Sequence, residues 1–432
     1  MNKKEQTVTR LFSHLKFDNH KFQHQPGSVL GTTALITGTT IGAGIIGLPA
    51  VTLPSGIIPS TILIITVWLY TLISGLLIAE LTLNVMRFEG ISHIGLLATI
   101  EKILGKLGAR IAGIAYVFNH YALLVAYMTE GGKILTTTVD KVWELEHISP
   151  QWVGTVSFFL VFGSLIYWGK DRLVAKINGI FIIILLITFL GLLILGGMQF
   201  QNSQLLVQNW QSVGNAIAII YVAMFFHSII PMVVTQLEGD INKIRQSMII
   251  GSVIPLFMFL AWNAIILGCM TPDILSHNFA NESVFDPLQI LRTGQSGEWF
   301  AVLLSIFSEF AIVTSFIGIT YGLADFFQDI SIITKSEISR LPLYSLVLLP
   351  PLSLGTLNPT IFFHALEYTG AFSVSILAGV MPALMSWKQS QTPEFANGNY
   401  QTLVPGGKIT LVLIMVGALF LICRQILVIC QV

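Results

Sequence analysis

Two stretches place groups able to hold a small zwitterion in the middle of long apolar runs. The first is Gly38-Thr39-Thr40-Ile41-Gly42-Ala43-Gly44, followed by Gly47, Leu48 and Pro49. Glycines so closely spaced weaken a helix. Non-helical backbone at membrane depth is tolerated only where it is buried or lines a watery cavity. Unwound backbone offers free N–H groups and a half-helix N-terminus, which suits a carboxylate. The alternative is helix packing, because Gly38 and Gly42 form a GxxxG pair; Thr39, Thr40 and Gly44 favour a site. A dinucleotide-binding reading fails because no strand precedes the glycines. The second stretch is Phe225-Phe226-His227-Ser228-Ile229-Ile230-Pro231. Pro231 removes a backbone donor and disturbs the turn before it, leaving His227 and Ser228 at the disturbance.

An ionisable group at membrane depth is costly and by default points to function. Glu309 lies in the middle of the apolar run 299–327, beside a stripe of small residues at helical spacing: Ser308, Ala311, Ser315, Gly318 and Gly322. Its expected role is a protonatable group in ion coupling; the alternative is a carboxyl kept neutral or hydrogen-bonded to a neighbouring helix. His227 titrates near physiological pH. It is a candidate for substrate contact or proton relay, against a buried neutral histidine donating to a carbonyl. Glu130 is expected to pair with Lys133 near the outer surface, while His120 and Asn119 are candidates to line a cavity. Glu367, before Gly370, is a candidate for an outer gate. Glu80 and Asp325 are expected to make structural or gating contacts near inner helix ends.

These groups need a membrane scaffold. Of 432 residues, 54% are hydrophobic and 10% charged, where a soluble protein carries about 25% charged. Mean hydropathy is +0.78, and the apolar residues come in blocks rather than alternating. A soluble enzyme, a disordered chain, a nucleic-acid binder and a β-barrel are thereby excluded. The net charge of zero says nothing about partners. Cys269, Cys423 and Cys430 show neither metal spacing nor a disulfide framework, and no cofactor is called for.

Crossing about 30 Å of hydrocarbon takes roughly 20 apolar residues. The sequence predicts an all-α integral membrane protein of about eleven spans: 31–53, 56–84, 111–137, 152–168, 178–198, 214–236, 248–270, 299–327, 342–358, 361–386 and 409–430. Pro350-Pro351 is expected to kink the ninth. With a cytoplasmic N-terminus, only Lys133, Lys141, Arg292 and Arg424 of 22 Lys and Arg fall off the inner side, as the positive-inside rule requires. The first apolar segment reads as a retained span, not a cleaved signal peptide. Segment 88–110 is amphipathic and expected along the inner surface. Residues 285–291 are expected to form a short helix over the outer mouth, and 389–407 a flexible linker. The expected division is a cytoplasmic tail (1–28), two five-helix repeats (29–198 and 199–388), and a linker with an eleventh helix (389–432). Interrupted spans at matching positions of two repeats, here the first and sixth, point to a transporter's binding site. An odd number of spans per repeat makes the repeats inverted.

The run Gly38–Pro49 resembles the aromatic amino acid permeases, the tryptophan/tyrosine permease family. So do Phe226–Pro231, Glu238-Gly239-Asp240-Ile241-Asn242-Lys243-Ile244-Arg245 and Gly251-Ser252-Val253-Ile254-Pro255-Leu256. That family belongs to the amino acid–polyamine–organocation superfamily. The resemblance implies a leucine-transporter-type 5+5 inverted repeat with broken helices 1 and 6, in the plasma (inner) membrane. It further implies uptake of tryptophan, tyrosine or phenylalanine coupled to protons, by alternating access. Sodium coupling is the alternative, with Thr314 and Ser315 standing where sodium-coupled relatives of this fold carry adjacent hydroxyls whose oxygens suit sodium; so is a small or branched neutral substrate. The substrate carboxylate would meet the backbone around Thr39, Thr40, Ile41, Gly42, Ala43 and Gly44. Its amino group would meet carbonyls of Phe225, Phe226, His227 and Ser228, and its ring would pack near Tyr121, Phe225 and Phe226. Some proton-coupled relatives use a lysine in the fifth span; none is present here, which leaves Glu309 and His227 as proton candidates. A membrane-embedded enzyme finds no support, because no HExxH, GxSxG or paired-Asp motif is present.

Overall fold

A computed structural model describes residues 10–18, 21–24, 27–142, 150–270, 286–292, 297–333, 338–358, 360–392 and 402–430. Within them the regular structure is helical except for one antiparallel hairpin, β1 (Leu15–Asp18) and β2 (Lys21–His24). The first apolar run forms two helices, α1 (Val29–Thr40) and α2 (Ala43–Thr52), bent by 51° across the Ile41–Gly42 link. Then come α3 (Ile57–Glu89), the short amphipathic α4 (Leu96–Leu104) and α5 (Lys106–Val142). A π-helical turn at Phe159–Gly163 joins α6 (Gln151–Phe158) to α7 (Ser164–Trp168), and α8 (Asp171–Met198) follows. The sixth run is again two helices, α9 (Val213–Ala223) and α10 (Ile230–Gln236). Beyond it lie α11 (Ile241–Gly268), the six-residue α12 (Pro287–Arg292), α13 (Glu298–Ile333) and α14 (Arg340–Leu357). Two π-helical stretches, Thr369–Val374 and Ile376–Val380, separate α15 (Phe362–Tyr368) from α16 (Met381–Gln389), and α17 (Gly407–Cys430) lies last.

Among the described residues, nine helices are long and apolar enough to cross a membrane, or ten with α1 and α2 as one span. The eleven expected from sequence exceed this by α14. It carries Arg340 and three prolines, and its 18 residues span only about 27 Å at 1.5 Å per residue. It nevertheless packs among α5, α6 and α13.

Side-chain periodicity sorts the helix faces. On α8, Ile183, Leu190 and Ile194 point outward while Leu185, Phe189 and Leu192 are buried. An apolar outer face around an apolar core is what a lipid solvent selects, and the chain is a multi-pass membrane protein. Small residues set the close contacts: a Cβ at Gly132 of α5 would collide with the Gly154 backbone of α6.

The N-terminal tail is tied to the turn after α10. Glu238 adopts a left-handed φ of 56°, with its carboxylate buried. It accepts the His14 backbone N–H (2.6 Å) and the His24 Nε2–H (2.7 Å). Burial pushes the Glu238 carboxylate up, but these bonds and the two histidine charges outweigh it and hold it below its ordinary value. At the same end, Glu80 accepts the Leu403 and Val404 N–H groups at 2.6 and 3.2 Å, anchoring the chain ahead of α17. Most of the linker expected at 389–407, residues 393–401, lies outside the described residues.

Candidate functional site

Helix α1 starts at Ser28, whose side chain caps the Gly31 N–H at 2.9 Å. It ends because Ile41 and Gly42 are extended (φ −79° and −148°). The first N–H groups of α2, at Ala43 and Gly44, have no preceding turn to bond. Trp262 of α11 fixes the new helix from the side, donating its indole N–H to the Ile45 carbonyl at 2.7 Å. Nearer the far end of α2, Thr52, Asn263 and Ser60 form a buried polar chain linking it to α11 and α3.

The glycines divide by role. A Cβ at Gly38 would meet nothing within 4 Å, so the GxxxG packing alternative fails at its first glycine. A Cβ at Gly42 would lie 2.8 Å from Ser315 Oγ of α13 and 3.6 Å from the Tyr127 hydroxyl of α5. At Gly44 it would collide with the Ala223 backbone, the last turn of α9. The two interruptions thus touch. Thr39 and Thr40 turn their hydroxyls back onto the Leu35 and Ile36 carbonyls, both at 2.8 Å. Around this link the polar contribution therefore comes from main chain, Ser315 and Tyr127.

The sixth-run interruption has no glycine. Helix α9 closes at Ala223; Met224 to Phe226 are irregular, and His227–Ile229 forms a single 3₁₀ turn before α10. His227 is fully buried, with neither ring nitrogen hydrogen-bonded to protein. Phe225 stacks on it at 5.3 Å with planes 10° apart, and Phe226 at 5.2 Å. Phe226 also faces α3, 3.2 Å from where a Gly75 Cβ would be. Ser228 is half-buried in the middle of the 3₁₀ turn. Two unpaired nitrogens in an apolar setting cost free energy unless something pairs with them.

On α13, Ser315 faces Gly42, but Thr314 bonds back to the Phe310 carbonyl at 2.8 Å; the expected hydroxyl pair is split. Glu309 has neither carboxylate oxygen hydrogen-bonded. The Glu130–Lys133 pair expected from sequence is replaced. Arg292 of α12 reaches Glu130 at 3.3 Å, while Lys133 donates to Gln289 at 2.9 Å and approaches Asp286 at 4.0 Å. The cause is α12, which brings its own guanidinium and amide over the end of α5. Glu367 pairs with His364 on its own helix at 3.9 Å. His120 is bonded to the Tyr116 carbonyl one turn back, at 2.8 Å, and buried Asn119 keeps its oxygen without a protein partner.

The Tyr121 hydroxyl has a structural partner, while its ring lies 6.4 Å from that of Phe327. Pro350 has no N–H, so the Leu346 carbonyl loses its helical partner. The Tyr121 hydroxyl donates to that carbonyl at 2.8 Å, and α14 stays helical through Pro350-Pro351. Sequence reading missed Tyr127, although Tyr116, His120, Leu124 and Tyr127 recur at helical spacing. It also missed the π-helical stretches between α15 and α16, where Gly370 packs directly on the Ala218 carbonyl of α9.

Known proteins resemble this chain over most of its length. A family model described as the tryptophan/tyrosine permease family matches residues 25–425. The tyrosine-specific transport system 1 of Haemophilus influenzae is 28% identical, over 90% of this chain and 94% of that protein. A tryptophan-specific transport protein of Pseudomonas aeruginosa is 26% identical, over 83% and 86%. Glutamine transporter 2 of Aliivibrio fischeri is 24% identical, over 92% and 99%.

Proposed function

The chain belongs to the tryptophan/tyrosine permease family, and from that premise we propose that it imports aromatic amino acids by proton symport. It is a transporter, not an enzyme. The spans form two inverted five-helix repeats, with α14 as a short ninth span and α17 as an eleventh helix. The N-terminal tail and Glu238 lie on the cytoplasmic side of the inner membrane. One observation carries the reading: the end of α9 lies against Gly44, at the start of α2, with Ser315 and Tyr127 facing Gly42 beside it. The chemistry of such a junction suits a zwitterion. Its carboxylate takes the N–H groups at Gly42, Ala43 and Gly44, supported by the positive end of α2. Its ammonium meets the carbonyls released where α9 ends, and its ring lies toward Phe225 and His227. Bound ligand links α2 to α9, the site closes on one side, and it reopens on the other. Glu309 and His227 are the candidates to carry the proton; the back-bonding of Thr314 argues against sodium.

A second reading changes only the substrate. Phe226 packs on α3 and Phe225 stacks on His227, so these rings occupy space that a bulky ligand would need. A small or amide side chain suits that arrangement, and one relative is named a glutamine transporter. The test is uptake of labelled tryptophan, tyrosine, phenylalanine and glutamine into proteoliposomes, under an imposed pH gradient or an imposed sodium gradient. Accumulation of the aromatic amino acids under the pH gradient alone is the expected result. Accumulation driven only by sodium, or only of glutamine, would overturn it.

A further inference from the structure

At the α12 end of the bundle, charged groups from three helices gather largely out of water. Arg292, the last residue of α12, is 8% exposed. One of its terminal nitrogens donates to Glu130 of α5 at 3.3 Å, while its Nε and its other terminal nitrogen have no partner. Glu309 of α13 has two unpartnered oxygens and lies within electrostatic reach of both Arg292 and Glu130. Asp286 and Lys133 complete the cluster. Asp286 caps α12 by accepting the Leu288 N–H at 3.0 Å and lies 4.0 Å from Lys133. Burial and the neighbouring Glu130 push its carboxyl up, against the pull of Arg292 and Lys133.

Charge counting makes the arrangement specific. With a proton on Glu309, Glu130 and Asp286 balance Arg292 and Lys133. Without that proton, one negative charge is left over in a buried site, and an unpaired buried charge is expensive. The unused donors of Arg292 are a cationic resource within electrostatic reach of Glu309. Helix α5, packed on α13, carries besides Glu130 and Lys133 the ionisable His120, about 15 Å before Glu130 along the axis, Asp140 and Lys141 about as far beyond it, and Lys106 and Arg110 at its start. Helix α2 carries no ionisable residue, α8 carries Asp171, Arg172 and Lys176 only at its opposite end, and α14 carries Arg340 at its start. On α13 itself, Glu298 lies at the near end and Asp325 and Asp329 toward the far one.

We infer that Arg292 is a positioning residue for the coupling proton, a guanidinium shared between Glu130 and Glu309 whose allegiance follows the proton on Glu309. When Glu309 is protonated, Arg292 stays on Glu130; when the proton leaves, the free Nε and terminal nitrogen turn to Glu309. Because α12 packs against both α2 and α13, this exchange links the proton to the helix carrying the carboxylate-binding N–H groups. The inference deepens the proton-symport reading and rests on it.

The test uses full-length protein in proteoliposomes with labelled tryptophan, comparing pH-gradient-driven accumulation with gradient-free counterflow across a range of pH. Arg292→Gln removes a positive charge near Glu309, so the pH of half-maximal accumulation moves upward, by about one unit. Glu130→Gln removes a negative charge and moves it downward. Arg292→Lys restores most of the parental profile, and Glu309→Gln abolishes accumulation while counterflow continues. Retained counterflow in each variant certifies folding. A parental profile unchanged in Arg292→Gln overturns the inference and leaves symport standing. A parent with counterflow but no response to pH overturns both.

Discussion

The two interrupted runs solve one problem with opposite materials. Between α1 and α2 the chain uses glycine: Gly42 leaves room for Ser315 and Tyr127, and Gly44 lets Ala223 approach. Between α9 and α10 it uses large side chains, a histidine with no protein partner held between two phenylalanines. The first break offers main-chain dipoles whose chemistry is common to every amino acid. The second offers a shaped, side-chain surface. On the proposed reading, affinity for the shared backbone of the substrate would reside in the first, and discrimination among side chains in the second.

This division can be broken most forcefully at Gly44. A valine there would place atoms inside the Ala223 backbone, and overpacking of this kind costs about 1–3 kcal/mol or more. Gly44→Val is expected to abolish binding of every amino acid tested, measured by scintillation proximity on purified protein. Equal loss across substrates supports the division; loss confined to one substrate contradicts it. A smaller and sharper effect belongs to His227. His227→Ala should weaken the preferred substrate about tenfold, which is roughly 1.4 kcal/mol, and reorder the preference among tryptophan, tyrosine and glutamine in competition assays. A uniform change across all three would move discrimination elsewhere.

Tyr121 is the control outside both breaks. Tyr121→Phe loses one hydrogen bond to a proline-orphaned carbonyl, worth about 1 kcal/mol. It should lower the melting temperature by a few degrees and leave transport kinetics intact. Smallest is the effect of the Glu238 contact with the tail. Its carboxylate titrates below the ordinary 4.5, so the contact is fully stabilising above that pH and is lost as pH falls through the lowered value. Melting followed between pH 7 and pH 3 should show an acid-side component that Glu238→Gln removes, with substrate affinity at neutral pH unchanged.

Much of the fold was legible because a lipid solvent writes itself into sequence as blocks of apolar residues. Helix existence and the short α12 followed from hydropathy, glycine and proline. Side-chain partnerships did not. Whether Thr40 faces a ligand or its own helix depends on a single rotamer, and hydroxyls at depth commonly bond back to the preceding turn. Arg292 stood out only as a cation on the unexpected side of the membrane. Its burial against Glu130 depends on how α12 docks, which no local pattern encodes. The π-helical stretches before α16 carry no sequence mark beyond Gly370, because each arises from tertiary contact with α9 and α3.

The central claim is that a zwitterion sits where α1 gives way to α2, across from the end of α9. The most direct measurement is a cryo-electron microscopy structure of the protein in lipid nanodiscs saturated with tryptophan. The account predicts density for the carboxylate at the N–H groups of Gly42 to Gly44 and for the ammonium near the last carbonyls of α9. Tryptophan density elsewhere, with Gly42 to Gly44 bonded only to protein, would contradict it.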